Sequence, residues 1–414
     1  MPETSALFTP FTWACGIEDT FIPQRRPGLR ALDEYELTQH YRLWQKDFDL
    51  VAESGVQAVR WGIPWYRVQP SPQRWDWSWT DAALEFLVKV KGITPILDLM
   101  HYGTPEWIEN SFINTSYPAR VAEYAAAVAD RYGSLVHYYT PLNEPMVNAE
   151  FCGRRAQWPP YLQGDDGDVK MILALARGLT ETTRALLSVQ SSAQTVQVEA
   201  LWHNWASDPD LQVQVEFNNA RQYIVFDLVT GHIDQEYPLR GWLLQHGART
   251  ADLEWFLNNP VKFDVFGANF YPWSYGEVTR RRDGSLKRVN KHTHGGAIAT
   301  VIRAVWERYH IPVMITETSA PGSLQAREAW MDETIAAVAG LRQSGIPVVG
   351  YTWFPLFTMI NWDYRRGRHP LSKYLLHLGL VDSAFDANGV LQRHPTVLME
   401  HYRAHQKQPM PDLV

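Results

Sequence analysis

The chain has 414 residues, 45% of them hydrophobic and 20% charged, with a net charge of −7. Nucleic acid and anionic membrane surfaces attract a basic face, which this composition lacks, so neither is an expected partner. No apolar run approaches the roughly 18 residues of a membrane span, and the opening MPETSALFTPFTWACG lacks the basic-then-apolar pattern of a signal peptide.

Read in order, short β-branched or aromatic runs recur eight times. They are FTWACGI from residue 11, VQAVRWGI from 56, ITPILDLM from 93, LVHYYTPL from 135, TVQVEALW from 195, FDVFGANFY from 263, PVMITE from 312 and PVVGYTWF from 347. Most are continuously apolar, as parallel strands covered on both faces are. Helical patterns separate them. From residue 35, Leu37, Tyr41, Trp44, Phe48 and Val51 form one stripe that stops at Gly55. A segment opening with Ser78 and Thr80 as caps ends at Gly92, one with Pro118 near its start ends at Gly133, and one from 333 ends at Gly345. Repeated strand–helix units predict an α/β protein, a single (β/α)8 TIM barrel over residues 1–414. A doubly wound sheet is the weaker alternative, because no G-x-G-x-x-G or P-loop opens a helix. The longest irregular stretches, 145–170 and 270–300, follow strand ends.

Barrel active sites lie at the C-terminal ends of the strands. Those ends carry Arg60, Asp98, His101, Tyr102, Asn143, Glu144, Glu199, His203, Asn269, Tyr271, Glu317 and Trp353, followed by Asn361 and Trp362. Glu144 and Glu317 stand on strands 4 and 7, where they can face each other across the mouth. Two carboxylates flanking a bond are what glycoside hydrolysis needs: one protonates the leaving oxygen, the other attacks or activates water. Around them, Asn143 is placed to meet a sugar 2-hydroxyl, and Arg60 and Tyr271 to support the Glu317 carboxylate. A metal set of His101, His203 and Glu199 has no H-E-x-x-H spacing, and a serine hydrolase would need G-x-S-x-G. No cofactor or metal is expected. The HTHGG segment at 292 reads as a solvated loop. Cys15 and Cys152 read as two reduced thiols of a cytoplasmic protein. The basic run WDYRRGRH, with Arg365, Arg366, Arg368 and His369, is either a solvated loop or a contact for an anionic group on the substrate.

These segments resemble family 1 of the glycoside hydrolases, the β-glucosidase family of retaining (β/α)8 enzymes. YTPLNEP is similar to its T-L-N-E-P segment and VMITETS to its I-T-E-N-G segment. The resemblance implies Glu144 as acid/base and Glu317 as nucleophile. AVRWGIPWYRVQP, LMHYGTPEW, FGANFYP and GYTWFPLFTMINW resemble further family segments and carry over Arg60, His101, Asn269, Tyr271, Trp353 and Trp362. The likeness runs from about residue 10 to 385. Asn361 stands where the family has a Glu that grips the sugar, Glu18 is nearest to an early Gln with the same task, and Tyr102 replaces a Trp. The expected activity is exo-acting, retaining hydrolysis of a small β-glycoside. A catalytically degenerate sugar-binding barrel, and a transglycosidase acting on a modified or acidic sugar, are the alternatives.

Overall fold

The computed structural model describes residues 7–290 and 294–413. Eight parallel strands close into a barrel: β1 (Thr12–Gly16), β2 (Ala58–Gly62), β3 (Thr94–Asp98), β4 (Tyr138–Thr140), β5 (Gln194–Ala200), β6 (Val265–Asn269), β7 (Val313–Thr318) and β8 (Val348–Trp353). Each overlaps one of the eight predicted runs; β5 starts one residue before its run and β7 ends one residue after its own. Every strand pairs with its sequence neighbours, and β8 closes on β1 with Thr12 opposite Gly350.

Period-two alternation decides what enters the barrel. Ala14, Ala58, Ile96, Tyr138, Val198 and Met314 form an internal cluster. The residues between them, such as Cys15, Val59, Leu97 and Ile315, join the larger core beneath the helices. Continuing the inward set by two residues turns Ala58 into Arg60 and Ile96 into Asp98. The sequence thus switches from apolar to ionised at the top layer of the barrel. Gly62 ends β2 where a Cβ would lie 1.6 Å from the Asp19 carboxylate, so only glycine lets that side chain cross the strand end.

The helices follow the predicted stripes with local differences. The stripe from residue 35 breaks at Gln39, whose φ is 63°. Its amide instead donates to Gly389 O at 2.8 Å and accepts from Leu391 N–H, and α1 runs His40–Glu53. The helix at Ser78–Glu85 is capped by Asp76, which accepts from Ser78 N–H, rather than by Ser78 or Thr80 themselves. Pro118 sits in the first turn of α2 (Tyr117–Tyr132). The predicted loop at 145–170 is largely helical: Pro145–Ala149 runs into a wider turn, and α3 begins at Gly164 and ends at Val189. The 270–300 stretch holds a hairpin, Tyr275–Arg280 with Leu286–Asn290, that pairs with His203–Trp205. His292 of the HTHGG segment lies outside the described residues. On the outer ring, α4 (Leu324–Gln343) and α5 (Val397–Gln406) pack together. Cys15 and Cys152 are buried and unlinked. Among the described residues, no helix is long and apolar enough to cross a membrane.

Candidate active site

A cavity of about 560 Å³ opens at the C-terminal ends of the strands; Glu18, His101, Tyr102, Glu144, Glu317 and Asn361 are among its walls. Glu144 follows β4. Its N–H donates to Val198 O at 3.0 Å, and the N–H of Asn143 donates to Met100 O at 2.9 Å, so the strand end is tied to both neighbours. Held this way, Glu144 takes φ 41° ahead of Pro145. A non-glycine residue there stores about 1–3 kcal/mol of strain. Glu317 lies at the end of β7 opposite Asn269, where the register with β6 shifts.

The two carboxylates have different company. Glu317 accepts from Arg60 Nη1 at 2.5 Å and from the Tyr271 hydroxyl at 2.7 Å. Glu144 accepts from Asn269 Nδ2 at 2.8 Å and from the Tyr102 hydroxyl, both neutral donors. Burial, together with the charge of Glu317, pushes the Glu144 pKa up to about 7.

Beneath the cavity floor, all three guanidinium nitrogens of Arg60 are engaged. It donates to Asp98 through Nε at 3.0 Å and Nη2 at 2.6 Å, and to Asn143 Oδ1 at 2.6 Å. This fork matches the planar guanidinium and would not suit lysine. Burial opposes the Asp98 charge, but Arg60 holds its carboxyl below the usual range. His101 Nδ1 lies 2.7 Å from Asp19 Oδ1, and its Nε2 lies 2.9 Å from Asn143 Nδ2. Burial works against a charge on this ring, but the Asp19, Asp98 and Glu18 carboxylates around it hold its pKa well above the usual value. Burial lifts Glu18 to about 7 and Asp19 to about 6.

The expected site residues separate into two layers. Glu18, His101, Asn269, Tyr271, Asn361 and Trp362 line the cavity with the two catalytic candidates. Arg60, Asn143 and Trp353 lie below it. Asn143 is wholly buried with its carbonyl on Arg60 and its amide nitrogen against His101 Nε2, so the expected contact with a sugar 2-hydroxyl is not at the cavity wall. Trp353 is wholly buried, its indole N–H on Leu378 O at 3.1 Å, so the expected substrate contact is replaced by a packing role. Asn361 Oδ1 accepts from Asp363 N–H, while no protein acceptor among the described residues meets its Nδ2; the buried indole N–H of Trp362 likewise has no partner. Of the two, only the Asn361 amide is left as an available donor at the wall.

The anion contact expected from the WDYRRGRH run is not formed at the cavity. Arg365 is buried on Gln24 O, Arg30 O and the Tyr161 hydroxyl; Arg366 pairs with Asp363, and none of the three arginines lines the cavity. Among the described residues, Arg288 of the 286–290 strand is the wall arginine with no carboxylate partner; it donates to Asn204 Oδ1, Trp273 O and Asn290 Oδ1. His101, His203 and Glu199 do not converge as a metal set. Sequence reasoning missed the Tyr102–Glu144 bond and the role of Asp19. The adjacent acids of IEDT just after β1 were the available signal for the latter.

A closed parallel (β/α)8 barrel with two unlike carboxylates on one cavity defines the fold and its candidate site. The chain belongs to glycosyl hydrolase family 1, whose sequence profile it matches over residues 16–223. Its relatives include the bifunctional β-D-glucosidase/β-D-fucosidase of Bifidobacterium breve, 33% identical over 258 residues, covering 58% of this chain and 54% of that enzyme. Another, β-glucosidase A of Thermotoga maritima, is 28% identical over 118 residues, covering 27% and 26%. The matched stretches thus span about half or less of these relatives. The family 1 β-glucosidase structure from Thermotoga maritima superposes with a TM-score of 0.82 at 18% identity, covering 98% of both chains. A second structure of that enzyme, in complex with deoxynojirimycin, gives 0.81 over 96% and 97%.

Proposed function

We propose that this protein is a retaining, exo-acting β-glycosidase in which Glu144 is the acid/base and Glu317 the nucleophile. The observation that carries the reading is the unequal setting of the pair: a guanidinium on Glu317, and only neutral donors and burial around Glu144. Glu144, with a pKa of about 7, keeps a proton to give to the glycosidic oxygen as the bond breaks. Glu317 Oε attacks the anomeric carbon, forming a glycosyl ester and releasing the aglycone. Esterification removes the Glu317 charge that helped to raise Glu144. Glu144 therefore becomes more acidic when it must stand as a carboxylate and take a proton from water. Water, giving its proton to Glu144, attacks the anomeric carbon, and Glu317 leaves as the carboxylate.

The sunken cavity suits a terminal sugar. Glu18 and the Asn361 amide offer partners for its hydroxyls. The Arg288 guanidinium favours glycosides whose aglycone carries an acidic group. The test is a panel of aryl β-glycosides, neutral and acidic, with wild type, Glu144→Ala and Glu317→Ala. Turnover by wild type, a loss of about 10⁴-fold or more in Glu317→Ala, and rescue of Glu144→Ala by azide with a β-glycosyl azide product support the reading. Full activity in Glu317→Ala would sink it.

A further inference from the structure

Away from the cavity, α4 and α5 bring four titratable side chains together. Glu328 and Asp332 stand one turn apart on α4, and His401 and His405 one turn apart on α5. Residues at this spacing share a helix face. Between the two histidines, Tyr402 is buried and donates to Ala14 O at 2.7 Å and Tyr351 O at 3.2 Å, fixing α5 on the barrel so that both imidazoles face α4. Their Nε2 atoms lie 2.6 and 2.7 Å from the same oxygen, Asp332 Oδ1. His401 Nδ1 lies 3.5 Å from Glu328 Oε1.

We propose that His401, His405 and Asp332 bind a first-row divalent transition-metal ion of the Zn²⁺ type, with Glu328 orienting His401 and water completing the coordination. Imidazole and carboxylate are the donors such ions take. The three ligand atoms already lie within 4.8 Å of one another. Metal–ligand distances of about 2.0–2.2 Å need only small rotations of side chains that are 18–49% exposed. Glu328 on Nδ1 leaves the Nε2 lone pair for the metal, the outer carboxylate arrangement that fixes a ligating imidazole. Charge points the same way. Among the described residues, neither Glu328 nor Asp332 pairs with lysine or arginine, so two carboxylates surround two imidazoles with no cation among them. The buried group of Asp19, Asp98 and His101 has comparable geometry, but Arg60 already occupies it. No residue of α4 or α5 lines the cavity. The ion therefore acts as a clip that ties the C-terminal helix to the barrel, not as a reagent.

The experiment is calorimetric titration of Zn²⁺ into EDTA-treated, full-length protein, with melting curves in parallel. Wild type, His405→Ala, Asp332→Asn, Glu328→Gln and the surface control His394→Ala are compared after their metal-free melting temperatures are matched. The expected result is one equivalent bound by wild type and the control, with a rise in melting temperature. Affinity falls at least tenfold in His405→Ala and Asp332→Asn and by about tenfold in Glu328→Gln, the range of an outer-shell loss. Absence of saturable binding below millimolar Zn²⁺ overturns the proposal, and so does equal binding by wild type and His405→Ala.

Discussion

Glu144 and Glu317 share one cavity, yet a guanidinium touches only one of them: Arg60 Nη1 is 2.5 Å from Glu317, while Glu144 meets the Asn269 amide and the Tyr102 phenol. Two identical side chains are thereby set apart for two different tasks.

The first consequence concerns pH. With Glu144 near 7 through burial and the Glu317 charge, kcat/KM should fall on the alkaline side with an apparent pKa close to that value. Glu317→Gln removes the neighbouring charge and should move the Glu144 titration to lower pH. Carboxyl NMR of the labelled variant reads this; an unmoved titration would mean the two groups are not coupled.

Tyr102→Phe acts in the opposite direction. Its phenol stabilises the charged form of Glu144 by donating to it. Removing that donor should shift the alkaline limb upward by a fraction of a pH unit to about one unit, each unit being about 1.4 kcal/mol. A purely packing role for Tyr102 predicts a lower rate with an unchanged pH profile.

Stability carries the same signature. Glu144 has a folded pKa of about 7 against an ordinary 4.5, so the fold binds its proton more tightly than the unfolded chain does. That contribution is complete below the unfolded value and is lost as pH rises through the folded one. Glu144→Gln should therefore gain stability relative to wild type between acid pH and about pH 8, by at most on the order of 3 kcal/mol. Denaturant unfolding at both pH values measures the difference; a gain confined to acid pH would contradict it.

Arg60→Lys keeps the charge but loses the fork to Asp98, Asn143 and Glu317. Losing the whole partner would cost about 3–5 kcal/mol; with the charge kept, the lost fork should cost less than that, and activity should fall with stability. Lysine supporting full turnover would show that the bidentate geometry is dispensable.

Arg288→Ala separates substrates. KM should rise for glycosides with an acidic aglycone and stay near wild type for neutral ones, with the difference shrinking at high salt. Equal effects on both classes would assign Arg288 to loop packing.

Much of this arrangement is legible in the chain because it is local. Most barrel strands are short apolar or β-branched runs, and N-E-P and T-E-T mark the ends of two of them. What escaped depends on contacts between distant segments. Asp19 reaches His101 by crossing the end of another strand at Gly62. Gln39 leaves the helical path to meet the turn at residues 389–391. The arginines of WDYRRGRH are adjacent in sequence, but clustering does not say which side of a turn faces the cavity. Arg365 turns inward to backbone carbonyls, and the cation at the cavity comes from a hairpin some 80 residues earlier. Trp353 follows the same logic, since a carbonyl from Leu378 claims its indole.

The most direct test is to trap the covalent intermediate with a 2-deoxy-2-fluoro β-glycoside bearing a good leaving group, then map the adduct by mass spectrometry. The account predicts a single glycosyl ester on Glu317, slow to turn over and absent in Glu317→Gln. An adduct on Glu144 or any other residue, or turnover of the parent glycoside with inversion, would contradict it.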